Sequence, residues 1–194
     1  LESVLGSGGA KLRAVLLGDK FEVSTVAARG IALRAQGSEV LRIAVRYQCG
    51  FDGTATYLAV HRSEFHVFGS TSSEQLFRYE YVRDGADSIP NAHLQVHAHR
   101  DAITHALLAG GDRTRRARRT TATGTSLAAL KALHFPLGGT RFRPCLEDVL
   151  HFLIEEFGVE AQDGWRARLD AGRQRWRELQ LLSAVRDAPH LAVD

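Results

Sequence analysis

The sequence predicts an α+β fold, in which an antiparallel β-sheet meander carries an N-terminal helix and two or three C-terminal helices packed on it. Two observations support this class. Between Phe21 and Arg100, short runs of alternating apolar and polar residues follow one another across short turns, which is typical of antiparallel strands. From Pro144 onward, apolar residues recur every three or four positions, which indicates amphipathic helices. The length of 194 residues suits one domain with its own core.

The first element expected is a helix over residues 8–20, because Leu12, Val15 and Leu16 would share one side of it. At Phe21 the period changes to two, and about five to seven strands are expected from there to Arg100. The clearest run is 75–82, where the aromatic side chains of Phe77, Tyr79 and Tyr81 alternate with charged ones. The aromatic face is expected to pack on the core.

The second half of the chain is expected to be helical around a polar segment. A helix from Asp101 to Ala109 is predicted to end at Gly110 and Gly111, and residues 111–126, rich in Arg and Thr, are predicted to form a mobile basic loop. Residues 144–157 predict a helix ended by Gly158, and residues 164–186 predict a second. The last helix is expected to pack on the body or to form a homodimer contact.

Composition excludes some classes and leaves others open. The net charge of +3 and the isoelectric point of about 9.1 permit a nucleic-acid partner without requiring one. Apolar runs are too short to cross a membrane, and no secretory signal pattern begins the chain, so a cytoplasmic protein is expected. Cys49 and Cys145 are then free thiols. Phosphate-loop, dinucleotide-binding and nucleophile-elbow motifs are absent, which argues against an ATPase, a dehydrogenase or an α/β-hydrolase.

The segment from Asn91 to Arg100 carries the strongest functional signal. In a strand, His93, Gln95, His97 and His99 fall on one face. If this strand pairs beside 75–82, that face also receives Arg78 and Glu80. Imidazoles can act as general acid and base in phosphodiester cleavage, and arginine can hold the phosphate. This grouping predicts a metal-independent ribonuclease that needs no cofactor; the alternative is a solvated sheet face without chemistry.

The same face has a second interpretation as a metal site. His97 and His99 present two nitrogens, and Glu80 is a candidate third ligand, so a metal-dependent hydrolase is an alternative.

Two further features bear on binding. His134, Arg141 and Arg143 flank a Gly-Gly pair before a helix, which would suit a phosphate; the alternative is an ordinary turn with a basic flank. Arginines cluster in the 111–126 loop and along the last helix. A non-catalytic module that binds protein or nucleic acid through them is the alternative to an enzyme, and neither patch indicates a nucleic-acid site by itself.

A stripe of Glu147, His151 and Glu155 occurs at helical spacing in the penultimate helix. It is interpreted as solvated side-chain pairs rather than as a metal site.

An ordered set of segments resembles the TumE-type toxins of bacterial toxin–antitoxin pairs. The set comprises 78–81, a Pro-containing loop, 93–97, the His-Phe-Pro at 134–136, and the helix at 146–153, and it spans roughly residues 55 to 157. The resemblance implies growth inhibition by attack on RNA, restrained by an antitoxin-like partner protein.

These signals give a set of expected roles for the residues. His97, with His93 or His99, is expected to supply the general acid and base. Phosphate is expected to be held by Arg78, Arg141 and Arg143, and substrate to be oriented by Tyr79 or His134.

Overall fold

The computed structural model describes residues 1–6, 11–51, 58–70, 73–84, 89–97, 122, 135–137 and 143–192. Within these residues the chain forms an antiparallel sheet and two longer C-terminal helices, so the predicted α+β class is confirmed. The strands are Leu12–Leu17 (β1), Lys20–Thr25 (β2), Ile31–Ala35 (β3), Ser38–Phe51 (β4), Leu58–Gly69 (β5), Gln75–Val82 (β6), Ala92–Val96 (β7) and Phe135–Pro136 (β8). The helices are Glu2–Leu5 (α1), Leu146–Phe157 (α2) and Trp165–Asp187 (α3), followed by a 3₁₀ turn at Pro189–Ala192.

The sheet runs in the order β1-β2-β4-β5-β6-β7-β8, and β3 pairs with part of β4. Strand β4 is long enough to pair with β2 and β3 on one side and with β5 on the other. Its alternation places Leu41, Ile43 and Val45 in the core, and Arg42 and Arg46 on the opposite face. One face of the sheet is therefore apolar and the other polar.

The core lies between the apolar face of the sheet and the helices. Helix α2 supplies Val149, Leu150 and Leu153, and α3 supplies Leu169, all of them buried. Phe77 of β6 packs against Phe152 and Phe157 of α2, with ring centroids 5.7 and 6.4 Å apart. Each fully buried side chain of this size contributes roughly 1.5–3 kcal/mol. Apolar burial therefore fixes the helices on this face.

The helix predicted over residues 8–20 is wrong, since residues 12–17 form β1. Gly18 and Asp19 form a two-residue turn between Leu17 and Lys20, and Gly18 has a φ of 65°. Such a turn joins antiparallel strands, and pairing with β2 overrides the weak helical periodicity. The N-terminal helix that does occur is the short α1, where Val4 is buried. The sheet thus begins before Phe21.

The two C-terminal helices lie close to where the sequence predicts them. Helix α2 begins after Cys145, whose backbone N–H donates to Asp148 Oδ2 at 3.1 Å, and it ends at Gly158 in the left-handed conformation with a φ of 65°. Helix α3 covers nearly all of the predicted 164–186. Among the described residues, neither helix has the length and apolar character needed to cross a bilayer.

Candidate functional site

A row of polar side chains crosses the sheet on the face opposite the core. Register partners along this row are, in order, Arg13, Ser24, Arg46, Glu64, Glu80 and His93. A second row places His66, Arg78 and Gln95 side by side. We call the group on the three strands β5, β6 and β7 the polar cluster; its members are Glu64, His66, Arg78, Glu80, His93 and Gln95. In this part of the described sheet, partly buried ionisable side chains contact one another.

Glu80 stands at the centre of the polar cluster. Its Oε2 lies 3.0 Å from Nε2 of His93 and 3.2 Å from Nε of Arg78, and its Oε1 lies 3.9 Å from Nε2 of His66. Burial alone would raise the pKa of Glu80, but the hydrogen bond with His93 and the positive charges around it outweigh burial and lower that pKa. The carboxylate is thus held in its charged form although only 10% of the side chain is exposed.

His93 is buried, with 3% of the residue exposed, and both of its ring nitrogens meet acceptors. Nδ1 lies 2.8 Å from the carbonyl oxygen of Pro90, and Nε2 faces Glu80. A carbonyl oxygen only accepts, so Nδ1 donates to the carbonyl oxygen of Pro90. The buried ring therefore joins Pro90 to Glu80 and orients the carboxylate.

Glu64 and His66 belong to the polar cluster, although neither is among the predicted site residues. Glu64 Oε1 lies 2.7 Å from Arg62, and its Oε2 lies 3.6 Å from Arg46. Nδ1 of His66 contacts the Gln75 amide at 3.1 Å, while its buried Nε2 has no hydrogen-bond partner among the residues that the structure describes. Burial lowers the pKa of His66, although the nearby carboxylates oppose this shift.

Their signal was present in the sequence. Arg62, Glu64 and His66 alternate with Ser63 and Phe65, which is the same period-two pattern as in β6. The pattern is not continuous along the whole segment, which made it less prominent than the one at 75–82. In the structure β5 is continuous, because it pairs along its length with β4.

The histidine strand lies beside 75–82, which was the condition for the candidate site, and the pairing brings Arg78, Glu80, His93 and Gln95 together. Arg78 donates to Oε1 of Gln95 at 2.5 Å, next to the Glu80–His93 pair. Gln95 is as buried as His93, at 3% exposure. This face of β7 is therefore not the solvated sheet face of the alternative interpretation.

Two predicted substrate-binding residues lie on the other face of the sheet. Tyr79 alternates with Arg78 and Glu80 and points toward the helices, where burial raises its pKa.

The guanidinium of Arg143 lies over the Tyr81 ring, 4.2 Å from its centroid, and 5.7 Å from that of Trp176. Tyr79, Arg143 and Trp176 line a cavity of about 640 Å³ on the helical side. They cannot contact a substrate bound at the polar cluster, because the sheet separates them.

His97 follows the end of β7, and its backbone N–H donates to the Leu76 carbonyl at 2.8 Å. It is half-buried, two residues beyond Gln95. His99, His134 and Arg141 lie outside the described residues, as do the predicted 101–109 helix and all of the predicted basic loop except Ala122.

The arginines of α3 that contact α2 serve packing. Arg173 donates to Asp148 Oδ1 at 2.8 Å and contacts Nδ1 of His151 at 2.5 Å, and Arg166 pairs with Glu155. The stripe of Glu147, His151 and Glu155 is thus tied in part to α3. Within the described part of the chain, the one group of ligand atoms placed to share a metal ion is Glu64, His66 and Glu80.

Comparisons with protein-family models, with curated proteins and with solved structures find no match for this chain. The resemblance to TumE-type toxins therefore stays a prediction.

Proposed function

We propose that this protein cleaves RNA by metal-independent acid–base chemistry at the polar cluster. The observation that carries the proposal is the environment of Glu80, a charged carboxylate fixed by His93 and Arg78 with a second imidazole, His66, 3.9 Å away. A base, an acid and a phosphate-binding cation within a few ångströms are the groups that phosphodiester transfer requires.

The reaction that fits these groups uses the RNA 2′-hydroxyl as nucleophile. Glu80 takes the proton from the 2′-hydroxyl as its oxygen bonds to phosphorus, and His66 or His97 gives a proton to the 5′-oxygen as the P–O5′ bond breaks. The products are a 2′,3′-cyclic phosphate and a free 5′-hydroxyl. DNA has no 2′-hydroxyl, so this chemistry selects RNA.

Arginines around the cluster supply the anion-binding part of the proposal. Arg78 is half-buried, while the more exposed side chains of Arg46 and Arg62 border Glu64. Guanidinium groups bind phosphate oxygens in two-pronged geometry and stabilise the negative charge that develops on them. The carboxylates beneath hold these arginines in place before substrate arrives.

The biological role we propose is that of the toxin of a toxin–antitoxin pair, as the resemblance to TumE-type toxins implies. An antitoxin-like partner protein would then restrain the activity. A gene encoding a small DNA-binding protein next to this one, and relief of growth inhibition on its co-expression, would support this role.

The test is cleavage of end-labelled RNA of mixed sequence by the full chain, with and without a chelator. Glu80→Gln keeps the shape of the side chain and removes the base, so we expect a loss of about 10²–10⁴-fold. His97→Ala is expected to lose activity without unfolding, and Glu156→Gln, on the exposed surface of α2, is the matched control. Full activity in Glu80→Gln, or loss of wild-type cleavage with the chelator, would overturn the proposal.

A further inference from the structure

Two carboxylates of the polar cluster oppose each other directly across neighbouring strands. Glu64 and Glu80 are register partners of β5 and β6, and both are largely buried. Like charges in this position destabilise a sheet unless a cation neutralises them. Arg62 neutralises part of the charge of Glu64 through Oε1, and Arg78 neutralises part of the charge of Glu80 through Oε2. The second oxygens make longer contacts, at 3.6 Å from Arg46 and 3.9 Å from His66.

The imidazole of His66 adds an independent observation. Its Nε2 is buried, has no hydrogen-bond partner in the described part of the chain, and lies on the side of Glu80. If the Gln75 amide rotates by 180°, its oxygen accepts a proton from Nδ1 of His66. The Nε2 lone pair then points toward the two carboxylates, where no described side chain donates to it.

We propose that Glu64, His66 and Glu80 bind one divalent transition-metal ion, with Zn²⁺ as the best match, and that its binding blocks the cleavage proposed above. The three ligand atoms lie within 4.8 Å of one another. Ligand atoms around a tetrahedral zinc are about 3.3 Å apart, so small side-chain rotations close the site. One nitrogen and two oxygen ligands suit Zn²⁺ better than Mg²⁺ or Ca²⁺, which take oxygen ligands.

The surroundings of the site resemble those of a metal centre. His93 and Arg78 hold the Oε2 of Glu80, and hydrogen bonds of this kind orient the carboxylates that ligate metals. Because His93 and Arg78 occupy Oε2 of Glu80, its Oε1 is the oxygen left for the ion and also for the substrate in the proposed reaction. An ion on Glu80 removes the general base, so Zn²⁺ binding and RNA cleavage exclude each other. This blocking effect rests on the proposed function, whereas the binding of Zn²⁺ does not.

The first experiment is calorimetric titration of the chelator-treated full chain with ZnCl₂. We expect one equivalent to bind, with affinity at least about tenfold weaker in His66→Ala and in Glu64→Gln. His61→Ala, which removes an imidazole of the same strand outside the cluster, is the matched control and should bind like the wild type. Circular dichroism checks that each variant is folded, and Glu64→Gln keeps the test valid if His66→Ala is not.

The second experiment adds ZnCl₂ to the RNA-cleavage assay, and its outcomes separate the two proposals. Inhibition of the wild type that is relieved by chelator, and is weakened at least about tenfold in Glu64→Gln, supports the whole inference. One equivalent bound through these residues with no cleavage under any condition supports the metal site and overturns the proposed function. Equal affinity in the wild type and both cluster variants, or no binding by the wild type, overturns the metal site while cleavage can still stand.

Discussion

Nε2 of His93 lies 3.0 Å from Oε2 of Glu80, while Nδ1 of the same ring lies 2.8 Å from the carbonyl oxygen of Pro90. The buried ring therefore ties the loop before β7 to the centre of β6. One ring nitrogen contacts a backbone carbonyl and the other contacts a carboxylate, so the ring both connects the two segments and lies beside the charge of Glu80.

His93→Ala should destabilise the fold by about 3 kcal/mol, because it removes two buried hydrogen bonds and leaves Glu80 with less compensation for burial. Urea denaturation measures the change. His190→Ala, which removes an exposed histidine, should stay within about 0.5 kcal/mol of the wild type. Equal midpoints for both variants would contradict the role assigned to His93.

The free energy of unfolding should decrease as the pH falls below 6.5, which is the ordinary pKa of a histidine side chain. The pKa of His66 is lowered in the folded state, so its contribution is fully present above 6.5 and is lost as the pH falls through the folded pKa. Thermal unfolding between pH 7.5 and 5 in the presence of chelator measures this, at pH steps of about half a unit. His66→Asn cannot titrate and should flatten this part of the profile; an unchanged slope would refute the assignment.

Gly30→Ala should cost at least about 2 kcal/mol, because Gly30 has a φ of +75° and an added Cβ would lie 1.9 Å from the Ile43 carbonyl oxygen. Gly37 has nearly the same φ, of +76°, but open space around it, so Gly37→Ala should cost only about 1 kcal/mol. Chemical denaturation of the two variants separates steric contact from backbone strain. Equal losses of stability in the two variants would show that the backbone at Gly30 and Ile43 moves apart to accept the added Cβ without a cost in free energy.

Arg173→Met should destabilise the packing of α3 on α2 by about 1–2 kcal/mol, since it removes donors to Asp148 and His151 while keeping the apolar stem. The carboxylates left behind are partly exposed, which limits the cost. Arg175→Met on the same helix is exposed and should have little effect. Hydrogen exchange of the α3 amides would locate the change.

Arg62→Gln should weaken RNA binding across all sequences and reduce its salt dependence by about one unit of slope, as expected for the loss of one phosphate contact. Arg62 is partly exposed beside Glu64, so its removal leaves the core intact. Fluorescence anisotropy at several salt concentrations provides the measurement. A slope equal to that of the wild type would place the RNA elsewhere on the protein.

The sequence was most informative where a residue's neighbours along the chain determine its environment. Strand β6 was predicted with both its bounds, because three aromatic residues alternate with charged ones. The first strand was missed because Leu12–Leu17 is decided by its partner β2 and by the turn at Gly18, not by its own periodicity.

The candidate site was only partly predictable, for a related reason. Alternation shows that His93 shares a face with Gln95 and that Arg78 shares one with Glu80. It does not show that the two strands pair, that this face is buried, or that β5 contributes Glu64 and His66 to it. Tyr79 was assigned to the site although its position between Arg78 and Glu80 already placed it on the opposite face. The register of the strands and the burial of the site depend on segments distant in the sequence, so the alternating pattern alone does not predict them.

Strand β6 joins the core and the polar cluster in one register, because Phe77 and Tyr81 face the helices while Arg78 and Glu80 face the cluster. A slip of one residue against β5 or β7 would send each set to the wrong side. The register that buries the apolar side chains of β6 is therefore the same register that brings the carboxylates and imidazoles of the polar cluster together. A chain that has formed its core has also formed this cluster. A chain with the wrong register would lack both the apolar core and the polar cluster. Few molecules can therefore be well folded and have a misaligned polar cluster.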